Sequence, residues 1–103
     1  MNISWTEPAV RDLESIKDFI ARDSKYYANE FIERIFSIVE NLMILPNRGR
    51  KVPEVDNENI KEIIFNNYRI IYRIEDFQNI LILGIIHAAR EIDKINPQPW
   101  EIN

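Results

Sequence analysis

Apolar and polar residues alternate at the start of the chain, in Ile3-Ser4-Trp5, and that period of two predicts a short first strand. Thr6 can cap a helix with its hydroxyl, and Glu7 and Pro8 suit a first turn, where a missing N–H costs nothing. Val10, Leu13, Ile16 and Ile20 then recur at steps of three to four, which predicts an amphipathic helix over 7–22. Asp23-Ser24 breaks it, and Ser24 can cap the next helix. Ala28, Phe31, Ile32, Ile35, Val39, Leu42 and Leu45 trace an apolar stripe over about six turns, which Pro46 ends. So tight a joint makes the two helices an antiparallel hairpin.

Residues 47–59 are polar, include Gly49 and Pro53, and form the one long loop; Arg48, Arg50 and Lys51 lie in it. From Ile60 the period becomes extended. Ile60–Phe65, Tyr68–Ile74 and Ile80–His87 are rich in β-branched and aromatic residues and read as strands of a meander. Asn66-Asn67 suits a two-residue turn, because asparagine tolerates the left-handed backbone that such a turn needs. Residues 75–79 make a looser second turn. Ile80 to Ile86 is apolar on both faces, as an interior strand covered on each side would be. Pro97-Gln98-Pro99-Trp100 cannot be regular helix. The expected fold is α+β, ordered β-α-α-β-β-β, with a helical hairpin packed on a mostly antiparallel sheet.

At 103 residues the chain is expected to be a single domain, 1–103, and its 46% apolar content supplies one core. Without cysteine there is neither a disulfide framework nor a thiolate metal site, which fits a reducing compartment. No apolar run approaches the ~20 residues of a membrane span, and the N-terminus lacks the pattern of a secretion signal. A soluble, cytoplasmic protein is expected. The net charge of −4 argues against binding nucleic acid by field alone. The charge is uneven, though. Residues 1–45 carry five basic and eight acidic groups, 46–75 six and five, and 76–103 two and four, so positive surface is confined to the middle.

That middle holds the candidate chemistry. On the second strand of the meander, Arg69, Ile71 and Arg73 point one way and Tyr68, Ile70, Tyr72 and Ile74 the other. A turn at Asn66-Asn67 sets Glu62 opposite Ile71, diagonally between the two arginines, about 7–8 Å from each. If the second turn pairs Ile74 with Ile80, His87 shares the face of Arg69, and Arg90 follows where the chain leaves the sheet. Glu62, Arg69, His87 and Arg90 would then share one surface, whereas a slip of one residue would send His87 to the other face. Guanidinium pairs hold phosphate and stabilise its developing charge, and a His or Glu can move the proton of an attacking 2′-hydroxyl. The same residues also fit a solvated ion-pair ladder and a hydrogen-bonded histidine at a strand end. One histidine and no cysteine leave only carboxylates as metal ligands, in no spacing that suggests a site; no metal or cofactor is expected.

Four segments in order carry a likeness to a known family: Trp5-Thr6-Glu7-Pro8-Ala9 with its Asp12-Leu13 helix, the Leu-x-x-x-Pro-x-x-Gly-Arg of Leu42–Arg50, Tyr68-Arg69-Ile70-Ile71-Tyr72, and His87-Ala88-Ala89-Arg90-Glu91. Together they resemble the RelE/ParE toxins of type II toxin–antitoxin systems, over nearly the whole chain. The resemblance implies a growth-inhibiting toxin that a cognate antitoxin wraps and silences in a hetero-oligomer. It implies one of two targets, DNA gyrase in the ParE-like branch or mRNA on the ribosome in the RelE-like endoribonuclease branch. In the ribonuclease case Arg69 and Arg90 match the family's phosphate-contacting arginines, with Arg73 and Lys61 as further basic residues and His87 or Glu62 to move protons. Where some ribonuclease members carry a catalytic tyrosine, this chain has Asn96, and it lacks a lysine-rich run. The His-x-x-Arg ending at Arg90 is more usual on the ParE-like side. Gyrase is therefore the favoured target, ribosome-dependent mRNA cleavage the alternative, and an inactive relic that only binds antitoxin the third reading.

Overall fold

A computed structural model of the chain describes residues 2–101, leaving out the side chain of Asp93. Among these residues the order is β1 (Asn2–Trp5), α1 (Glu7–Ala21), α2 (Lys25–Asn41), β2 (Arg50–Lys51), β3 (Ile60–Phe65), β4 (Tyr68–Asp76) and β5 (Asn79–His87), followed by short 3-10 turns at Ile92–Lys94 and Pro99–Glu101. The strands form one sheet in the order β1-β5-β4-β3-β2. β1 lies parallel to β5, and every other pairing is antiparallel. The expected α+β hairpin-on-sheet architecture is what forms, with one addition: β2 inside the long loop.

Local chemistry accounts for the boundaries. Thr6 holds an extended backbone and accepts the Ala9 N–H at 3.2 Å, while its own hydroxyl donates to the Leu83 carbonyl at 3.2 Å. The cap of α1 thus also ties the helix to β5. Ser24 Oγ accepts the Tyr27 N–H at 3.2 Å and starts α2. The apolar stripe predicted to keep α2 helical to Leu45 overshoots: α2 ends at Asn41, Met43 and Ile44 follow in a turn, and Met43, Ile44 and Leu45 are exposed. Proline disfavours helical backbone in the residue before it, so Pro46 draws Leu45 out of the helix. Asn66 sits at φ 53°, as expected, but Asn67 does not share the positive φ that a type I′ turn asks of both central residues.

Two apolar layers sandwich the sheet. Under the helices lie Leu13, Phe31, Ile35, Val39 and Leu42, against Ile63, Ile70, Tyr72, Ile80, Ile82 and Ile85. On the other face, Val52 from the long loop and Ile92 from the tail are buried against Ile60, Ile71, Leu83 and Ile86, with Val55, Ile95 and Trp100 packed alongside. β5, paired on both edges and covered on both faces, is the interior strand its sequence predicts. Among the described residues no helix is long and apolar enough to cross a membrane.

Candidate functional site

The registers of β3, β4 and β5 decide which candidates meet. The β3–β4 pairing is as expected: Phe65 faces Tyr68, Ile64 faces Arg69 and Glu62 faces Ile71. Ile74 also pairs with Ile80. Beyond Tyr72↔Ile82, however, the next pair is Ile71↔Gly84, so Leu83 is an extra residue and the parity of β5 changes. Arg69 is therefore opposite Ile86, and His87 is opposite Tyr68 on the helix side of the sheet. The expected sharing of a face by His87 and Arg69 does not occur. The His87 ring instead meets Tyr68 edge-on at 5.4 Å, and its Nδ1 accepts the Ala89 N–H at 3.1 Å. Lys61, opposite Tyr72, is also on the helix side, away from Arg69 and Arg73.

Glu62 and Arg69 do come together, with two partners the sequence pattern did not single out. Glu62 is fully buried. Its Oε1 accepts from Arg69 Nε at 2.6 Å and its Oε2 from Arg50 Nε at 2.8 Å. The outer nitrogens of Arg69, Nη1 and Nη2, donate to the two oxygens of Glu54 at 2.8 and 2.7 Å. Four charges thus run in alternating sign, Arg50–Glu62–Arg69–Glu54, from the edge strand to the loop that folds over the sheet. The hydrogen bonds that Arg69 donates to Glu54 dominate in pushing the Arg69 pKa upward, and Arg69 in turn holds the Glu54 carboxyl below its ordinary value. Arg69 is permanently charged and its fork is occupied.

Arg73 lies on the same face but points to other partners: Nε and Nη2 bond Glu75 at 3.1 and 3.2 Å, and Nη1 reaches the Trp100 carbonyl at 3.4 Å. Arg90 is exposed in the turn after β5, where its N–H donates to the His87 carbonyl at 2.9 Å. Its charge acts on Asp12 of α1. Burial raises the Asp12 carboxyl above its ordinary value; a hydrogen bond from the Ile85 N–H, at 3.0 Å, and the Arg90 charge oppose that rise. Of the predicted cluster, then, only Glu62 and Arg69 are joined.

Glu54 was legible only indirectly. Residues 46–75 carry six basic and five acidic groups, so most of the positive charge there has a counter-ion available nearby in sequence. Nothing in a polar loop says which carboxylate will fold back.

A two-helix hairpin on an open, mostly antiparallel sheet of five strands is the fold of small toxins from type II toxin–antitoxin systems. The chain belongs to the family described as the ParE toxin of type II toxin–antitoxin systems, parDE, whose model matches residues 3–92. In fold it is similar to a chain of the chromosomal ParDE toxin–antitoxin system from P. aeruginosa, with a TM-score of 0.68 and 22% identity over 84% of this chain and 95% of that one. It is also similar to a chain of the RelBE2 toxin–antitoxin complex from Mycobacterium tuberculosis, with a TM-score of 0.56 and 23% identity over the same shares. No curated protein matches the chain in sequence.

Proposed function

We propose that this toxin inhibits DNA gyrase by protein–protein contact in the cytoplasm, and that a cognate antitoxin neutralises it in a hetero-oligomer. The observation that carries the reading is the occupied fork of Arg69. A ribonuclease of this fold needs guanidinium groups free to grip a scissile phosphate and a proton carrier beside them. Here Glu54 and Glu62 take the nitrogens of Arg69, and His87 is on the far side of the sheet. The match to the ParE model and the acidic balance of −4 support the same reading. An antitoxin partner is supported by both structural relatives, which come from toxin–antitoxin systems.

On the hairpin, Phe19 and Tyr26 are 63% and 71% exposed and are candidate antitoxin contacts. Their chain neighbours Ile20 and Tyr27 line a groove with Glu30, Phe31, Arg34 and Phe65. Phe36 is less available, since its ring lies edge-on to Trp5 at 5.8 Å.

The test is induction in hosts with normal and mutant gyrase, following DNA supercoiling and mRNA integrity side by side. Loss of supercoiling with intact mRNA, relieved in the gyrase mutant, is the expected outcome. The ribonuclease reading keeps one favourable observation, the exposed Arg90 just past β5. Ribosome-dependent cuts in mRNA that vanish in Arg90→Ala would replace gyrase with that reading. Absence of any growth arrest would leave only antitoxin binding.

A further inference from the structure

The early end of α2 leaves the last members of its apolar stripe outside the core. Ile44 and Leu45 are 76% and 54% exposed, and Phe77, in the turn between β4 and β5, is 84% exposed. These are not the scattered single residues that any surface carries. Ile44, Leu45, Pro46, Asn47 and Arg48 line one shallow recess, and Pro46 and Asn47 also line a second with Ile74, Asp76 and Phe77. The two are therefore halves of one largely apolar surface, with Pro46 and Asn47 as the shared floor. Its two sides carry opposite charges, neither of which has an ion-pair partner among the described residues. On one side the Arg48 guanidinium donates to a neutral acceptor, Asn41 Oδ1, at 3.0 Å. On the other, Asp76 accepts from Asn79 Nδ2 at 3.0 Å and from the Gln78 N–H at 2.7 Å. Those neutral donors hold the Asp76 carboxyl below its ordinary value, so it is ionised at neutral pH. Glu75, the other carboxylate of the second recess, is taken by Arg73.

We propose that this end of the molecule is a contact between two copies of the chain, related by a two-fold axis near Pro46 and Asn47. Such a contact puts the same patch on both sides, so the patch must complement itself. This one does. The axis exchanges the two sides, which sets Arg48 against the partner's Asp76 and Phe77 over the partner's Ile44 and Leu45, each contact being made twice. The patch is small beside the roughly 20–30 residues a side of a standard interface, so the dimer is weak, with a dissociation constant on the order of tens of micromolar. The groove near the candidate antitoxin contacts is elsewhere. It includes Asn66, just before β4, whereas Phe77 follows the far end of that nine-residue strand, about 30 Å away. Pairing of two toxins and capture by antitoxin are thus compatible. The contact goes beyond the gyrase reading and does not depend on it.

The test is sedimentation equilibrium of the full-length chain at low ionic strength, from about 5 to 500 μM. The unaltered chain is expected to pass from monomer to dimer over that range. Phe77→Ser and Arg48→Glu are each expected to weaken association roughly tenfold or more. Neither touches the hydrogen bonds of the Asp76 turn, and circular dichroism checks that both fold. Asp76→Lys is expected to fail alone as Arg48→Glu does, because like charges then meet twice. Arg48→Glu and Asp76→Lys mixed in equal amounts are expected to regain the dimer, since each variant meets its opposite charges in the other. A chain that stays monomeric at about 500 μM overturns the proposal and leaves the patch to the antitoxin or the target. So does a dimer that Phe77→Ser and Arg48→Glu leave intact, which would place the contact elsewhere. A mixture of folded charge variants that remains monomeric overturns it as well, because Arg48 and Asp76 would not be opposed. Should Asp76→Lys unfold, the results for Phe77→Ser and Arg48→Glu decide alone. Supercoiling plays no part in the readout, so failure of the dimer and failure of the gyrase reading are seen separately.

Discussion

Two carboxylates show how differently one chemical group behaves according to its partners. Glu62 is fully buried and hydrogen-bonded to two guanidinium groups. Removing one partner of a buried ion pair costs about 3–5 kcal/mol when the charge left behind is unpaired; Arg69 keeps Glu54 and Arg50 reaches water, which puts the loss at the low end of that range. Glu62→Gln is therefore expected to lower stability by about that amount in urea unfolding, and a loss under 1 kcal/mol would show that the row is not a true buried network. Asp12 is the opposite case. Burial raises its carboxyl above the ordinary 3.8, so the folded state holds the proton more tightly than the unfolded chain does. Stability then falls as pH rises from 3.8 to the raised value, and the penalty is fully present at neutral pH. Asp12→Asn keeps an acceptor for the Ile85 N–H and escapes that penalty. The variant should match or exceed the parent at pH 7, with the gap closing as pH falls below 3.8. Asp12→Ala leaves the N–H without a partner and should cost about 1–3 kcal/mol at pH 7. Unfolding curves of the three proteins across pH check the sign. At this scale the sequence was only partly legible: alternation placed Glu62 with Arg69, but the folding back of Glu54 is a loop event with no period to betray it.

Among the elements, those with an unbroken period were readable and those without one were not. β3 runs from Ile60 to Phe65 as its β-branched pattern predicts, and α1 and α2 start at the capping side chains of Thr6 and Ser24. β2 has two residues, too few for any alternation, and the bulge at Leu83 interrupts an apolar run that looks the same in either register. That single extra residue decides the face of His87. Close approach in the loop before β2 is enforced by Gly49, whose N–H donates to Tyr72 Oη at 2.9 Å while that hydroxyl donates to the Pro46 carbonyl at 2.8 Å. A Cβ on Gly49 would stand 2.7 Å from both the Glu62 carbonyl and Tyr72 Oη. One neighbour is strand backbone and the other a side chain buried in the core, so neither yields cheaply. Gly49→Ala should destabilise by about 1–3 kcal/mol, as overpacking does, and shift the Tyr72 environment in near-ultraviolet circular dichroism. An alanine variant as stable as the parent would mean that the loop moves freely at this point.

The whole molecule is a sheet covered on both faces by unlike means, and the cover on the second face bears on how the toxin works. Helical periodicity announced the first layer, because Leu13, Phe31, Ile35 and Val39 recur at helical steps. Ile92, Ile95 and Trp100 follow no period, so the second layer could not be read in advance, yet it seals Ile71, Leu83 and Ile86. A ribonuclease working from this face would need it open to a nucleic acid strand. A toxin acting through its outer surfaces gains from having it closed, since the closed layer stiffens the sheet behind the hairpin. The two views differ over the energy of the tail. Ile92 is 1% exposed, and truncating a buried isoleucine to alanine costs about 2–5 kcal/mol where the surroundings cannot collapse into the space. Ile92→Ala is accordingly expected to lose about that much in equilibrium unfolding, in one transition with the rest of the fold. A loss below 1 kcal/mol, or faster amide exchange confined to 92–101, would show instead a tail that lifts readily and leaves the sheet face accessible.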